Sequence, residues 1–329
     1  MKKKKILILT MLVVISLMII TACSGAQSGG KPETIRVAAL NGPTGMGMVK
    51  MMEEAQDDEE QNYEFSTSGA PDELVGKVIN GEIDIAALPT NMASVIYNKT
   101  EGQIQLAAIN TLGVLYVLED GDEINSIEDL KGKKINVSGK GATPDYILQY
   151  LLKKNGLDPE TDVELDFSMQ HADLATAVAA GDVKIALLPQ PHVTSALMRN
   201  ENLRIALDIT QEWEKIAGET NPLPMGCIVV QKNFAQDYAQ ALEDFLAQYE
   251  ESVKWVNENH EEAGQLIEKH DIMPNAKLAE KAIPQSNIVF LDSQQSQSPM
   301  DEFLKILFEL NPASVGGELP GEDFYYIKK

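Results

Sequence analysis

The residues best suited to chemistry in this chain are few, and most fail on spacing. His260-Glu261-Glu262-Ala263-Gly264 begins like a zinc-binding helix but lacks the second histidine. Gly42 and Gly47 have the spacing of a phosphate-binding loop, yet Met48 and Val49 stand where that loop needs Lys and Ser or Thr. No Gly-x-Ser-x-Gly nucleophile motif occurs. Cys227 lies in a β-rich run with no histidine near it in sequence, which predicts an inert buried thiol. Met46, Met48, Met51 and Met52 read as helix core rather than a soft-metal site. What remains is hydrogen-bonding chemistry. Asn, Thr, Ser, Gln, His and Gly cluster in short loops, the residue types that hold a small polar molecule without changing it.

Composition points the same way. The 329 residues suit about two domains. The formal charge of −23 argues against a nucleic-acid partner, because phosphate would be repelled. Two cysteines are too few for a disulfide scaffold or a multi-cysteine metal cluster. The runs Asp57 to Glu60 and Glu250-Glu251 read as solvated helix faces.

The N-terminus is an address. Lys2 to Lys5 precede an uncharged apolar run, Ile6 to Ile20. At about 15 residues the run is short for a membrane span of roughly 20, and it has the form of a secretory signal. Its end, Ile20-Thr21-Ala22-Cys23, resembles the lipobox of bacterial lipoproteins. That resemblance implies cleavage after residue 22, a lipid on Cys23, and a body anchored on the outer face of a cell membrane. Cleavage would remove four lysines and no acid, taking the formal charge to −27. Residues 23–34 read as a flexible tether.

The body repeats itself. Gly81-Glu82-Ile83-Asp84-Ile85-Ala86-Ala87-Leu88-Pro89 matches Gly181-Asp182-Val183-Lys184-Ile185-Ala186-Leu187-Leu188-Pro189, one hundred residues on. Ile35-Arg36-Val37 matches Ile135-Asn136-Val137, and Ile104 to Thr111 matches Leu203 to Thr210. In each half, short apolar strands alternate with helical patterns, which predicts parallel βαβ units. The expected strands are Ile35 to Leu40, Tyr63 to Thr67 and Ile83 to Leu88, then Lys134 to Ser138, Val163 to Phe167 and Val183 to Leu188. Two α/β lobes follow, with one continuous doubly wound sheet as the alternative. The runs Thr111 to Leu118 and Pro224 to Val230 are expected to cross between lobes side by side. Leu242, Phe245, Leu246, Tyr249, Val253 and Val256 form one face of a long helix, which is expected to return to lobe one.

Ligands of parallel sheets sit beyond the carboxyl ends of the strands, where helix starts offer free N–H groups. The repeat places six such loops. The residues expected to bind ligand are Asn41, Thr44, Gly45, Met46, Ser68, Gly69, Thr90 and Asn91 in lobe one. In lobe two they are Gly141, Thr143, Gln190 and His192, with Met225 flooring the cleft. Helix capping is an equal reading for Thr90 and Asn91, tight-turn geometry for the Gly42–Gly47 loop, and hinge packing for Met225. His171 and His192 both fall on cleft loops without an acidic partner, so no metal is expected. Lys140 is the one cation of these loops. Two helix starts suit an anion, whereas the acidic body steers none toward itself. A neutral or zwitterionic heteroaromatic is an equal candidate.

Further motifs carry a family resemblance. They are Ile83 to Pro89, Asn125-Ser126-Ile127-Glu128-Asp129-Leu130-Lys131-Gly132-Lys133-Lys134-Ile135, Val253-Lys254-Trp255-Val256-Asn257-Glu258-Asn259, and Asn311 to Pro320. In this order they resemble solute-binding lipoproteins of ABC importers, in the group that binds sulfonates, nitrate-like anions and thiamine-pyrimidine precursors. The resemblance implies a type II periplasmic-binding-protein-like α/β fold: two Rossmann-like lobes joined by a two-segment hinge. Lobe one would be 35–114 with 227–329, and lobe two 115–226. It also implies a monomer that closes on a small-molecule solute and delivers it to a permease and ATPase, with no cofactor and no catalysis. Thiamine-pyrimidine-synthase-like and menaquinone-pathway-like enzymes share the fold, but the synthase cysteine motif is missing. A ligand-presenting sensor component is a further reading.

Overall fold

The computed structural model describes residues 31–57, 62–218 and 220–328. The expected signal segment, Cys23 and the acidic residues 58–60 lie outside them. Among the described residues the strands form two sheets rather than one continuous sheet. The strands are β1 (Ile35–Leu40), β2 (Tyr63–Ser68), β3 (Ile85–Pro89), β4 (Ile104–Thr111), β5 (Leu115–Glu119), β6 (Lys134–Val137), β7 (Glu164–Asp166), β8 (Ile185–Pro189), β9 (Arg204–Asp208), β10 (Gly226–Gln231) and β11 (Ile288–Asp292). β3 and β8 start two residues later than the apolar pattern suggests. In β3 the reason is Asp84, whose carboxylate takes the Arg36 backbone N–H at 2.9 Å and its guanidinium at 2.6 and 2.9 Å.

The duplication is explicit in the topology. One sheet runs β11-β4-β10-β3-β1-β2 and the other β9-β5-β8-β6-β7. Apart from β11 they superpose strand for strand: β1 on β6, β2 on β7, β3 on β8, β4 on β9 and β10 on β5. In each sheet β2-β1-β3 or β7-β6-β8 is parallel, and β10 or β5 is antiparallel to both its neighbours. That antiparallel strand comes from chain that has just left the other half. β3, β5 and β8 are nearly unbroken apolar runs because helices cover both faces.

The crossings are therefore shorter than the runs Thr111 to Leu118 and Pro224 to Val230. Half of the first run folds into the second sheet as β5, and most of the second run into the first sheet as β10. Each completes an apolar layer that would otherwise present an open edge. Side-by-side pairing is limited to the crossing point: the Met225 N–H donates to the Thr111 carbonyl at 2.9 Å, and Gly226 pairs with Thr111. A Cβ on Gly226 would lie 2.6 Å from Asn110 Oδ1 and 2.9 Å from Thr111 Oγ1, so only glycine fits that approach.

The helix Ala239–Glu258 buries Leu242, Phe245, Leu246, Tyr249, Val253 and Val256. It packs on the helix Val49–Asp57 and on β11, in the first lobe. The last long helix, Ser293–Leu310, does something else. Its Met300, Phe303, Leu304 and Leu307 join one apolar cluster with Leu106 and Ile109 of the first lobe and Leu151 and Trp213 of the second. The lobes are thus joined by an apolar seam as well as by two crossings.

Candidate functional site

The carboxyl ends of β2-β1-β3 and β7-β6-β8 form the loop-bearing rims of the two lobes. The rims meet. A Cβ on Gly42 would come within 3.9 Å of Pro191 Cδ. Thr143 Oγ1 donates to Asn91 Oδ1 at 3.4 Å across the gap. Asn311 Nδ2 donates to the Tyr146 hydroxyl at 2.7 Å near the same side. Toward the crossings, Gln190 Nε2 donates to Gln285 Oε1 at 2.8 Å and the Tyr116 hydroxyl to the Gln285 carbonyl at 2.9 Å.

In lobe one, Asn41 is exposed at the end of β1 and Thr44 is half-buried. The Thr44 carbonyl accepts from Asn110 Nδ2 at 3.0 Å, which fixes the loop from behind. Gly45 is buried, and a Cβ there would lie 2.7 Å from the Leu40 carbonyl oxygen. Met46 is wholly buried with Met48 and Met51, so its side chain belongs to the core and not to the rim. Ser68 Oγ accepts from the Ala70 N–H at 3.2 Å, holding the turn that exposes Gly69. Thr90 does not cap its helix: its hydroxyl donates to the Pro224 carbonyl at 2.9 Å and ties the loop to the second crossing. Asn91 stays half-buried, its Nδ2 donating to the Ser314 carbonyl at 3.3 Å.

In lobe two, Gly141 takes φ +72°, a left-handed conformation that suits glycine. Its N–H donates to the carboxylate of Asp145 at 2.8 Å, a residue buried in the first turn of the helix Thr143–Lys154. That helix start already has its own anion. Thr143 is half-buried beside Asn91. Gln190 is buried, its Oε1 accepting from the Thr194 hydroxyl at 2.8 Å, and a cis peptide bond joins it to Pro191. Both ends of its amide are therefore engaged. Met225 is half-buried at the second crossing, with its carbonyl accepting from the Thr90 N–H at 3.2 Å.

His192 and His171 stack, with ring centroids 5.4 Å apart and planes 28° from parallel. Ser138, buried at the end of β6, hydrogen-bonds His171 Nδ1. Burial holds the His171 imidazole below its ordinary pKa. Burial, and then the charge of His171, brings His192 down to about 4. Both are neutral at pH 7. Among the described residues no group of three or more His, Cys, Asp or Glu could hold a metal ion. Cys227 is fully buried, and burial pushes its thiol up.

Three partners lay beyond sequence reasoning: Asn110, Asp145 and Gln285. Asp145 alone left a signal, as an acid in the third position of a predicted helix. The repeat-related helices Thr90–Lys99 and His192–Arg199 both lack an acid in the first turn, as does the one-turn helix Pro43–Met46 of the same rims. The helices Pro71–Ile79, Thr143–Lys154 and His171–Ala180 all have one.

Residues 47–274, more than two thirds of the chain, match the family model described as ABC transporter, phosphonate, periplasmic substrate-binding protein. The chain is similar to the crystal structure of an ABC transporter from Parabacteroides distasonis: TM-score 0.78 and 25% identity, over 91% of this chain and 100% of that one. It has the fold of the periplasmic aliphatic sulphonate binding protein SsuA from Escherichia coli, with TM-score 0.72, 16% identity, and coverage of 91% and 94%. Among curated proteins it is 25% identical to YtlA of Bacillus subtilis strain 168 over 138 residues. That match spans 40% of this chain and 41% of YtlA.

Proposed function

The chain belongs to the family of periplasmic substrate-binding proteins of phosphonate ABC transporters, and on that premise we propose that it captures a small oxyanion-bearing solute between its lobes and delivers it to a permease and its ATPase. The family is one of binding proteins, not enzymes. The observation that carries the reading is the pair of acid-free helix starts, Thr90–Lys99 and His192–Arg199, on facing rims. The Thr90 N–H already donates to the Met225 carbonyl and the Thr194 N–H to Gln190 Oε1; the other first-turn N–H groups, with the helix dipole, favour an anion there. Contacts from both rims exist together only when the lobes are closed, so ligand shifts the population toward closure. An organic phosphonate or sulfonate matches this donor set, and the phosphonate family and the aliphatic sulphonate binding of SsuA support that class. Asn41, Thr44, Ser68, Gly69, Asn91, Gly141, Thr143 and His192 are the residues we assign to ligand contact. Gly45, Thr90, Gln190 and Met225 hold the loops that carry them.

We also assign Cys23 as the lipid-bearing N-terminus, which would keep the protein at the outer face of a cell membrane. No described helix is long and apolar enough to cross a membrane. The test of the ligand reading is calorimetry with alkylphosphonates, alkylsulfonates, nitrate, thiamine pyrimidines and amino acids. A true ligand at 100 times its dissociation constant stabilises the fold by about 2.7 kcal/mol. Binding of a neutral heteroaromatic and of no oxyanion would overturn the assignment.

A further inference from the structure

The histidine pair has more to do in this cleft than fill a rim. His171 and His192 are stacked and half-buried. His171 is held from behind by Ser138 through Nδ1, which leaves Nε2 for the gap. Pro191, the residue before His192, faces Gly42 of the opposite rim, where an added Cβ would lie 3.9 Å from Pro191 Cδ.

The charges on the surrounding elements do not neutralise a proton on the pair. Asp173, on the His171 helix, is exposed. Asp145, below the 139–142 loop, is held by the Gly141 N–H and by Gln149 Nε2 at 2.7 Å. Asp166, on β7, pairs with Lys134 at 2.9 Å. Glu280, on the helix Ala276–Ala282 that packs against the His192 helix, pairs with Lys277 at 2.7 Å, and Lys281 adds a positive charge. Arg199 lies at the far end of the His192 helix, bonded to Thr176 at 3.3 Å. Lys140 stands over the Phe167 ring at 5.7 Å. The facing loops of lobe one, 41–47, 68–70 and 89–91, contain no charged residue.

Two imidazoles in contact, with no carboxylate committed to them, lack a counter-charge that a ligand can supply. We infer that His171 and His192 are the proton-accepting arm of the cleft, so that an oxyanion is bound together with a proton and an uncharged isostere is rejected. The inference rests on the oxyanion reading above. A bound oxyanion opposes the repulsion between the two rings and favours the charged form. By linkage, its affinity rises as pH falls toward the free protein's imidazole pKa values. The two rings titrate as a coupled pair, so uptake belongs to the pair rather than to one ring.

Ethanesulfonate, which does not titrate in this range, and ethylphosphonate are the probes. Calorimetry at pH 7.5, 6.5 and 5.5, in two buffers of different ionisation enthalpy, should show net proton uptake with ethanesulfonate. Affinity should rise toward acid pH, by about tenfold for each unit by which the pair's pKa rises on binding. The variant with His171→Asn and His192→Gln should bind more weakly, and the binding that remains should show flat pH dependence and no proton uptake. Imidazole NMR titration of the unaltered protein supplies an arm that needs no variant: saturating ethanesulfonate should move both rings' titrations upward. Binding with flat affinity, no uptake and unmoved imidazoles overturns the inference and leaves the oxyanion reading intact. No binding of either probe at any pH overturns both.

Discussion

The Trp213 indole meets the Phe303 ring edge-on, with centroids 6.2 Å apart. Trp213 belongs to the second lobe and Phe303 to the helix Ser293–Leu310, and both are fully buried. The Tyr150 ring lies tilted against Trp213, with centroids 5.4 Å apart, extending the contact within the second lobe. Lobes joined by two extended crossings alone would be free to bend in many directions. This seam joins the lobes along one side, so on the proposed closure mechanism they would open at the loop-bearing rims.

Truncating Phe303 tests the seam. Phe303→Ala should cost about 3–5 kcal/mol of stability, the usual range for a buried phenylalanine. Scattering of the ligand-free variant should also show a broader range of lobe angles than the unaltered protein. Loss of stability with unchanged scattering would mean that the ring supports the fold without restricting the lobes.

Behind the Thr44 loop, Gly47 packs on the Tyr249 hydroxyl. A Cβ at Gly47 would lie 2.5 Å from that oxygen and 3.1 Å from Val253 Cγ2. The hydroxyl is buried with no partner at hydrogen-bond distance among the described residues; burial pushes its pKa up, and the nearby Asn110 amide offsets part of that rise. Gly47→Ala should therefore destabilise by about 1–3 kcal/mol through overpacking. Tyr249→Phe alone should be neutral or mildly stabilising, because it removes an unsatisfied polar group. Combined, the two should recover part of the loss, which denaturant midpoints of the four proteins would measure. Strict additivity would show that Val253, not the hydroxyl, sets the limit.

Local chemistry and repetition made the two sheets legible. The hundred-residue offset between Gly81 to Pro89 and Gly181 to Pro189 marks β3 and β8, and the alternation of short strands with helices marks parallel units. The exchange of β5 and β10 between halves agrees with the lobe boundaries that the family resemblance implied, but local pattern alone read both runs as hinge crossings, because strand order depends on pairing between distant segments. The helix Ser293–Leu310 presents an ordinary apolar face, and nothing in such a face says that two lobes will share it. In the rims, the loops could be located but not the partners of their side chains. Thr90 bonds a carbonyl 134 residues away, and Gln190 an amide 95 residues away. Spacing along the chain carries no trace of either.

The stacked histidines also predict how the ligand-free fold responds to acid. An ordinary imidazole titrates near 6.5, whereas His192 in the folded protein is brought down to about 4 by burial and by the charge of His171. Between these values the unfolded chain binds the proton more readily than the folded one. Stability therefore falls as pH is lowered from about 6.5 to about 4, and it is fully retained above that window. His192→Gln removes the titrating ring while keeping an amide of similar reach. Urea midpoints at pH 7 and pH 5 should then differ less for the variant than for the unaltered protein. Equal acid losses in the two would assign the effect to other groups, with His192 already charged in the folded state.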